Sequence, residues 1–242
     1  TRLFNTTIGN RFLGLTHIIL KGGNTSDRGG AIYAGADIDL LNTQILNSQA
    51  AKEGGAIFMA GPFASLTINH SLIQGNQAPK ASVIAMSCFN DNVYSKRKID
   101  ITTSSLIGNG SNASSSMLEF CGEPDVNLST NTIAKNIASS TNGSIIKFTG
   151  DTKAGTETNN TSSILSDASL LTLNSNTIVE NTANTTLLYD KMGLKALSFN
   201  LLAYNIGTNA CRYLLGPAAD EKAVGVGLVY NALALVGVNK CD

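Results

Sequence analysis

The sequence predicts an all-β fold, a right-handed single-stranded parallel β-helix (a solenoid) of about seven to eight turns. Three observations lead there. The stretch GGAIY at positions 29–33 returns as GGAIF at 54–58. Each copy is followed by short apolar and polar runs, IDLLNTQILNSQA and then SLTINHSLIQGNQA, and ITTSSLIGN, NLSTNTIAKN, TLNSNTIVEN and LSFNLLAYN keep their form. The composition is biased toward Asn, Ser, Thr, Gly and Ala, with no Trp and only 14% charged residues, which is unlike the Leu, Glu and Lys richness of helical proteins.

Each part of the unit has a physical reason. Aligned on their second apolar position, the runs give Leu46, Ile73, Leu106, Ile133, Ile178 and Leu202, spaced 27, 33, 27, 45 and 24 residues apart, with Leu20 as an earlier member. A unit of about 25 to 27 residues suits leucine-rich repeats or parallel β-helices. The first need LxxLxLxxN and a helical half, whereas alternation such as Ile99-Asp100-Ile101 between Gly, Asn and Ser favours strands. The pairs Gly29-Gly30 and Gly54-Gly55 supply positive φ ahead of a strand, a position relaxed later to Ala81-Ser82 and Asn142-Gly143. Ile32, Ile57, Ile73, Ile133 and Ile178 are expected to point inward. Three residues after each marker comes an amide: Gln49, Asn76, Asn109, Asn136, Asn181 and Asn205. Stacked from one turn to the next, these form an expected structural Asn/Gln ladder. The extra length in the 33- and 45-residue steps places loop insertions near 89–98 and 151–169.

The 242 residues are read as a single domain, 1–242, because a periodic array is not divided by length. A hydrophobic share of 43% suffices for a continuous core, and a formal net charge of +0 argues against nucleic acid. The one dense basic run, Lys96-Arg97-Lys98, reads as a solvated loop tip. No stretch is long and apolar enough to span a bilayer, and the polar opening at Thr1 reads as a mature protein or an excised fragment.

Four Cys without CxxC or His spacing point to disulfides and an oxidising compartment, hence an extracellular or cell-surface location. Cys88 closes SVIAMSC and Cys121 closes SSMLEFC, 33 residues apart like their turn markers. Equivalent positions one strand apart, at about 4.8 Å, lie within disulfide reach. Cys88 is therefore expected to pair with Cys121, and Cys211 with Cys241 by elimination.

No catalytic, cofactor-binding or metal-ligating set emerges, and no cofactor is expected. The close acidic pairs, Asp37 with Asp39, Glu123 with Asp125, and Asp220 with Glu221, do not recur at one-turn spacing. Asp37 and Asp39 share one strand face. His17 and His70 have no Cys or carboxylate at ligand spacing. No GxSxG, P-loop or HExxH occurs.

At GGAIY, GGAIF and SNTIVENTA (175–183) the sequence resembles the β-helical passenger regions of bacterial surface proteins of the pectate-lyase-like superfamily, among them the polymorphic outer-membrane proteins. The resemblance implies a secreted or surface-exposed solenoid. Enzymes of that superfamily are similar in placing carboxylates around calcium, with an Arg or Lys base, on one outer sheet. The expectation is a noncatalytic protein of adhesion, surface coating or filament assembly, whose partners are a host surface, a polysaccharide or other copies of itself. The alternative is a polysaccharide lyase or glycoside hydrolase.

Overall fold

Runs such as Ile99-Asp100-Ile101-Thr102 alternate apolar and polar side chains, so a strand built from them offers one face to a core and the other to solvent. Such strands are too short to be stable alone and gain stability by stacking on copies of themselves. The computed structural model describes residues 1–6, 12–88, 97–121, 124–149, 170–190, 194–214, 228–229 and 232–233. All described elements are strands, and none is a helix.

The strands build three eight-stranded parallel sheets that the chain visits in a fixed cycle, so that each passage, or coil, adds one strand to each. The first sheet runs through Phe4–Thr6, Ile32–Ala34, Ile57–Met59, Ile84–Met86, Ser116–Phe120, Ser144–Phe148, Thr185–Asp190 and Asn209–Leu214. The second extends from Phe12–Thr16 to Leu228–Val229, and the third from Ile19–Lys21 to Ala232–Leu233. This all-β stack of parallel strands is compatible with a parallel β-helix.

Register explains the core. In the third sheet Leu20, Ile45, Ile73, Leu106, Ile133, Ile178 and Leu202 are successive Cα partners, and all are buried. In the first sheet Met59, Met86, Phe120 and Phe148 lie inside on successive coils. The inward column of the third sheet corrects one expectation. Ile45, not Leu46, is the partner of Ile73. Both are apolar, and the sequence does not say which of two adjacent apolar residues faces inward; Ile45 is buried while Leu46 is half-buried on the outer face.

The bends at both ends of each third-sheet strand carry residues with left-handed backbone. His17, Asn42, His70, Thr103, Thr130, Ser175 and Phe199 occupy the first bend with φ between 48 and 57°. At the third corner Gly29 and Gly54 have φ 69°, and Ala81 and Asn142 follow at 50° and 58°, as the GGAI reading requires. The second glycine of each pair answers a steric need, since a Cβ on Gly30 or Gly55 would run into the carbonyl of Gly55 or Ser82.

Just after the left-handed residues, two columns of polar side chains turn inward. Ser48, Asn76, Asn109, Asn136, Asn181 and Asn205 form one; Thr43, Ser71, Ser104, Asn131, Asn176 and Asn200 form the other. In both, the backbone N–H of each member donates to the side-chain oxygen of the next at 2.9–3.0 Å. Successive Asn also donate Nδ2 to the next Oδ1 at 2.9–3.1 Å. Gln49 is not a rung. It is exposed on the short strand Gln49–Ala50, and Ser48 takes the inward place, the same one-residue displacement that separates Leu46 from Ile45.

Candidate functional site

A solenoid whose interior is filled can act only through its outer faces and bends, and the three faces differ in chemistry. On the second sheet, apolar residues point inward and the row Asp39, Thr67, Asp100, Asn127 and Thr172 lies outward in register. Lys98 and Asp125 are Cα partners on the adjacent strands beside it. Asn127 Nδ2 donates to Asp100 Oδ1 at 2.8 Å, and Ser129 Oγ donates to Asn127 Oδ1 at 2.6 Å. Asp37 Oδ1 accepts the Ser65 N–H at 2.8 Å. Asp125 Oδ1 and Asn69 Oδ1 are shielded from solvent without a hydrogen-bond partner among the described residues. The sequence alone puts Asp37 and Asp39 on one strand face, and the sheet brings Asp100 and Asp125 with Lys98 to the same face. Among the described residues no three His, Cys, Asp or Glu converge as a metal set.

Beside the first sheet lies a closed set of ion pairs. Glu53 is held between Arg28 at 2.6 Å and Lys80 at 3.1 Å. Glu119 receives Lys147 at 3.1 Å, Lys80 at 3.5 Å and the Ser116 hydroxyl at 2.8 Å. Desolvation of Lys80 is outweighed by Glu119 and Glu53, which together hold its ammonium above its usual range. Arg28 also stacks over Phe58 and Arg2 over Tyr33, at 5.0 and 4.9 Å from the ring centres. Two carboxylates each held by two cations suit a structural clamp. The signal was present in the sequence: the pairs Asp27-Arg28 and Lys52-Glu53 precede the two GGAI copies with opposite signs at aligned positions. Lys52 accordingly meets Asp27 at 2.8 Å, and this contact lowers the Asp27 carboxyl below its ordinary value.

Cys88 is bonded to Cys121 across a Cα separation of 5.0 Å, on adjacent coils. Next to that bond, the buried Arg97 donates Nη2 to the carbonyls of Ser87 and Cys121 at 2.8 and 3.0 Å, and burial pushes its guanidinium down to about 10. Cys211 is also disulfide-bonded, while Cys241 lies outside the described residues. So do Glu123, Asp220, Glu221 and most of both expected insertions, 89–96 and 151–169. Of the first insertion, Arg97 and Lys98 instead open the strand Arg97–Thr102.

His17 and His70 occupy exposed first-bend positions, and His17 Nε2 lies 3.3 Å from Asn42 Nδ2. At the opposite corner an open cleft of about 400 Å³ is lined by Ser139–Asn142, Thr182–Asn184 and Ile206–Gly207, without a charged side chain. Among the described residues no helix is long and apolar enough to cross a membrane. Compared with protein-family models, curated proteins and solved structures, the chain shows no significant match.

Proposed function

We propose that this chain is a right-handed parallel β-helix of the pectate-lyase-like kind, about seven to eight turns and roughly 38 Å long at the usual strand spacing, that works without catalysis outside the cell. Its role is contact: adhesion, surface coating or assembly. The observation that carries the reading is the pair of internal hydrogen-bonded columns, which commit the buried polar side chains to holding successive coils in register. Parallel strands joined within one sheet favour the right-handed path. The Cys88–Cys121 bond fits an oxidising compartment. Adhesion to host surfaces and immobilised polysaccharides, measured before and after deleting 89–96 and 151–169, tests the reading. Reduced binding by the deletions supports it, and a chain that binds no surface and forms no assembly overturns it.

One observation favours a second reading as a polysaccharide-cleaving enzyme. Asp39 and Asp100 share an outward row with Thr67 between them. Two strand spacings amount to about 9.6 Å, close to the carboxylate separation of about 6.5–9.5 Å in inverting glycosidases. The engagement of Asp100 by Asn127 weighs against it as a free general base.

A further inference from the structure

The outer face of the first sheet carries a charge surplus that the chain as a whole lacks. Its outward row runs in register from Tyr33 through Phe58, Ala85, Glu119 and Lys147 to Arg212. Arg28, Glu53 and Lys80 stand at the corner beside it, where Arg28 and Lys80 both reach Glu53. Burial separates the two signs. The side chains of Glu53 and Glu119 are 11% and 7% exposed, those of Arg28, Lys80 and Lys147 are 44%, 42% and 32% exposed, and Arg212 is exposed. The carboxylates therefore lie beneath, and the cations meet solvent. With Arg2, which covers the Tyr33 ring, five cations stand against two buried carboxylates on a chain of formal net charge +0. Asp27 and Lys52 at the margin pair with each other and add nothing.

The ion pairs use only part of each cation. Arg28 gives Glu53 its Nε, Lys147 gives Glu119 one of its N–H bonds, and Lys80 divides two between the carboxylates. The remaining N–H donors can serve a ligand. The exposed cations are also periodic: Arg28, Lys80, Lys147 and Arg212 belong to the second, fourth, sixth and eighth coils, two strand spacings or about 9.6 Å apart. That matches the length of one disaccharide in an extended glycan chain.

We infer that this face binds an acidic polysaccharide laid along the rod, with one carboxylate or sulfate per disaccharide meeting each of Arg28, Lys80, Lys147 and Arg212. Nucleic acid suits it less. Phosphates recur about every 3.4 Å along each strand of a duplex, and the Tyr33 and Phe58 rings, which could stack on bases, are covered by Arg2 and Arg28. The proposal rests on the reading of the chain as a contact-making rod and names the chemistry of one partner.

Calorimetric titration of the full chain at low salt with a hyaluronan octasaccharide, which carries a carboxylate on every second sugar, should give a dissociation constant between about 10 µM and about 1 mM. Salt at about 1 M shortens the Debye length to about 3 Å and should weaken binding at least ~10-fold. A neutral dextran octasaccharide should not bind, and an octathymidylate should bind more weakly than the hyaluronan fragment. An exposed ion pair contributes about 1.5- to 5-fold, so Arg212→Gln should weaken binding by that factor, and Lys147→Gln combined with Arg212→Gln by about 2- to 25-fold. Lys98→Gln, on the outer face of the second sheet, should change it by less than about 1.5-fold. No binding below about 1 mM, equal binding of dextran, tighter binding of the thymidylate, or unchanged binding in the double variant each overturns the proposal. A native chain that adheres to surfaces without binding hyaluronan overturns this proposal alone and leaves the contact-making reading standing. Circular dichroism separates these outcomes from misfolding, and Arg212→Gln stays informative because Arg212 takes no part in the ion pairs with Glu53 and Glu119.

Discussion

Asn136 sits in the middle of one internal column and is completely buried. Its Oδ1 accepts the Asn109 backbone N–H at 2.9 Å and Asn109 Nδ2 at 3.0 Å, while its own Nδ2 donates to the Leu106 carbonyl and to Asn181 Oδ1, both at 2.9 Å. Asn136→Ala removes all four bonds and leaves the Asn109 N–H and the Leu106 carbonyl buried without these partners. A typical bond contributes about 0.5–1.5 kcal/mol net, and an orphaned buried group costs about 1–3 kcal/mol, so the loss should be about 3–5 kcal/mol. Asn136→Ser retains an oxygen that can accept the Asn109 N–H, as Ser71 and Ser104 do for their neighbours in the other column. It should cost about half as much. Urea unfolding measures both, with Thr67→Ala on the outer face as a control expected within about 0.5 kcal/mol. Because stacked repeats can open locally, hydrogen exchange at the Asn109 amide reads the same loss coil by coil. Should alanine cost less than about 1 kcal/mol, or no more than serine, the columns are ornaments on a fold held by its apolar core.

Reducing the Cys88–Cys121 bond, or replacing both residues by Ser, should lower stability by about 3–4 kcal/mol through its closed loop; an unchanged thermal midpoint in the variant would refute this. Gly55→Ala drives a Cβ into the Ser82 carbonyl and should cost about 1–3 kcal/mol. Gly108→Ala, at φ 63° with nothing near its Cβ, should cost about 1 kcal/mol from backbone conformation alone. Equal losses in urea would remove the steric argument. The ammonium of Lys80 is held above the ordinary lysine value in the fold, so its pairing with Glu119 and Glu53 contributes fully below that ordinary value and fades as pH rises through the folded one. The stability gap between the native chain and Lys80→Met should therefore shrink above about pH 10.5; a gap that widens there contradicts the assignment.

Much of the architecture was legible because it repeats. GGAIY and GGAIF announced a left-handed residue before a strand, and Ala81 and Asn142 take the same conformation without glycine. The spacing of Cys88 and Cys121 matched one coil, and the bond is there. The one-residue displacement at Leu46 and Gln49 arose because Ile45-Leu46 and Ser48-Gln49 each offer two residues for one inward position. The second polar column went unseen for a related reason. Thr43, Ser71 and Ser104 give way to Asn131, Asn176 and Asn200, so the position keeps its hydrogen-bonding role while its residue type changes. The outer faces were least legible. Which of Asp39, Asp100 and Asp125 share a face depends on coils of unequal length, and only the strand pairing resolves it.

The reading of this molecule as a rod that acts by contact, without chemistry, is tested most directly by product analysis on glycans. Incubating the chain with a panel of acidic and neutral polysaccharides, with and without calcium, and following reducing ends and unsaturated products by mass spectrometry should yield none above the buffer control. Products formed by the native chain and lost in Asp100→Asn would contradict that reading and make the outer face of the second sheet an active site.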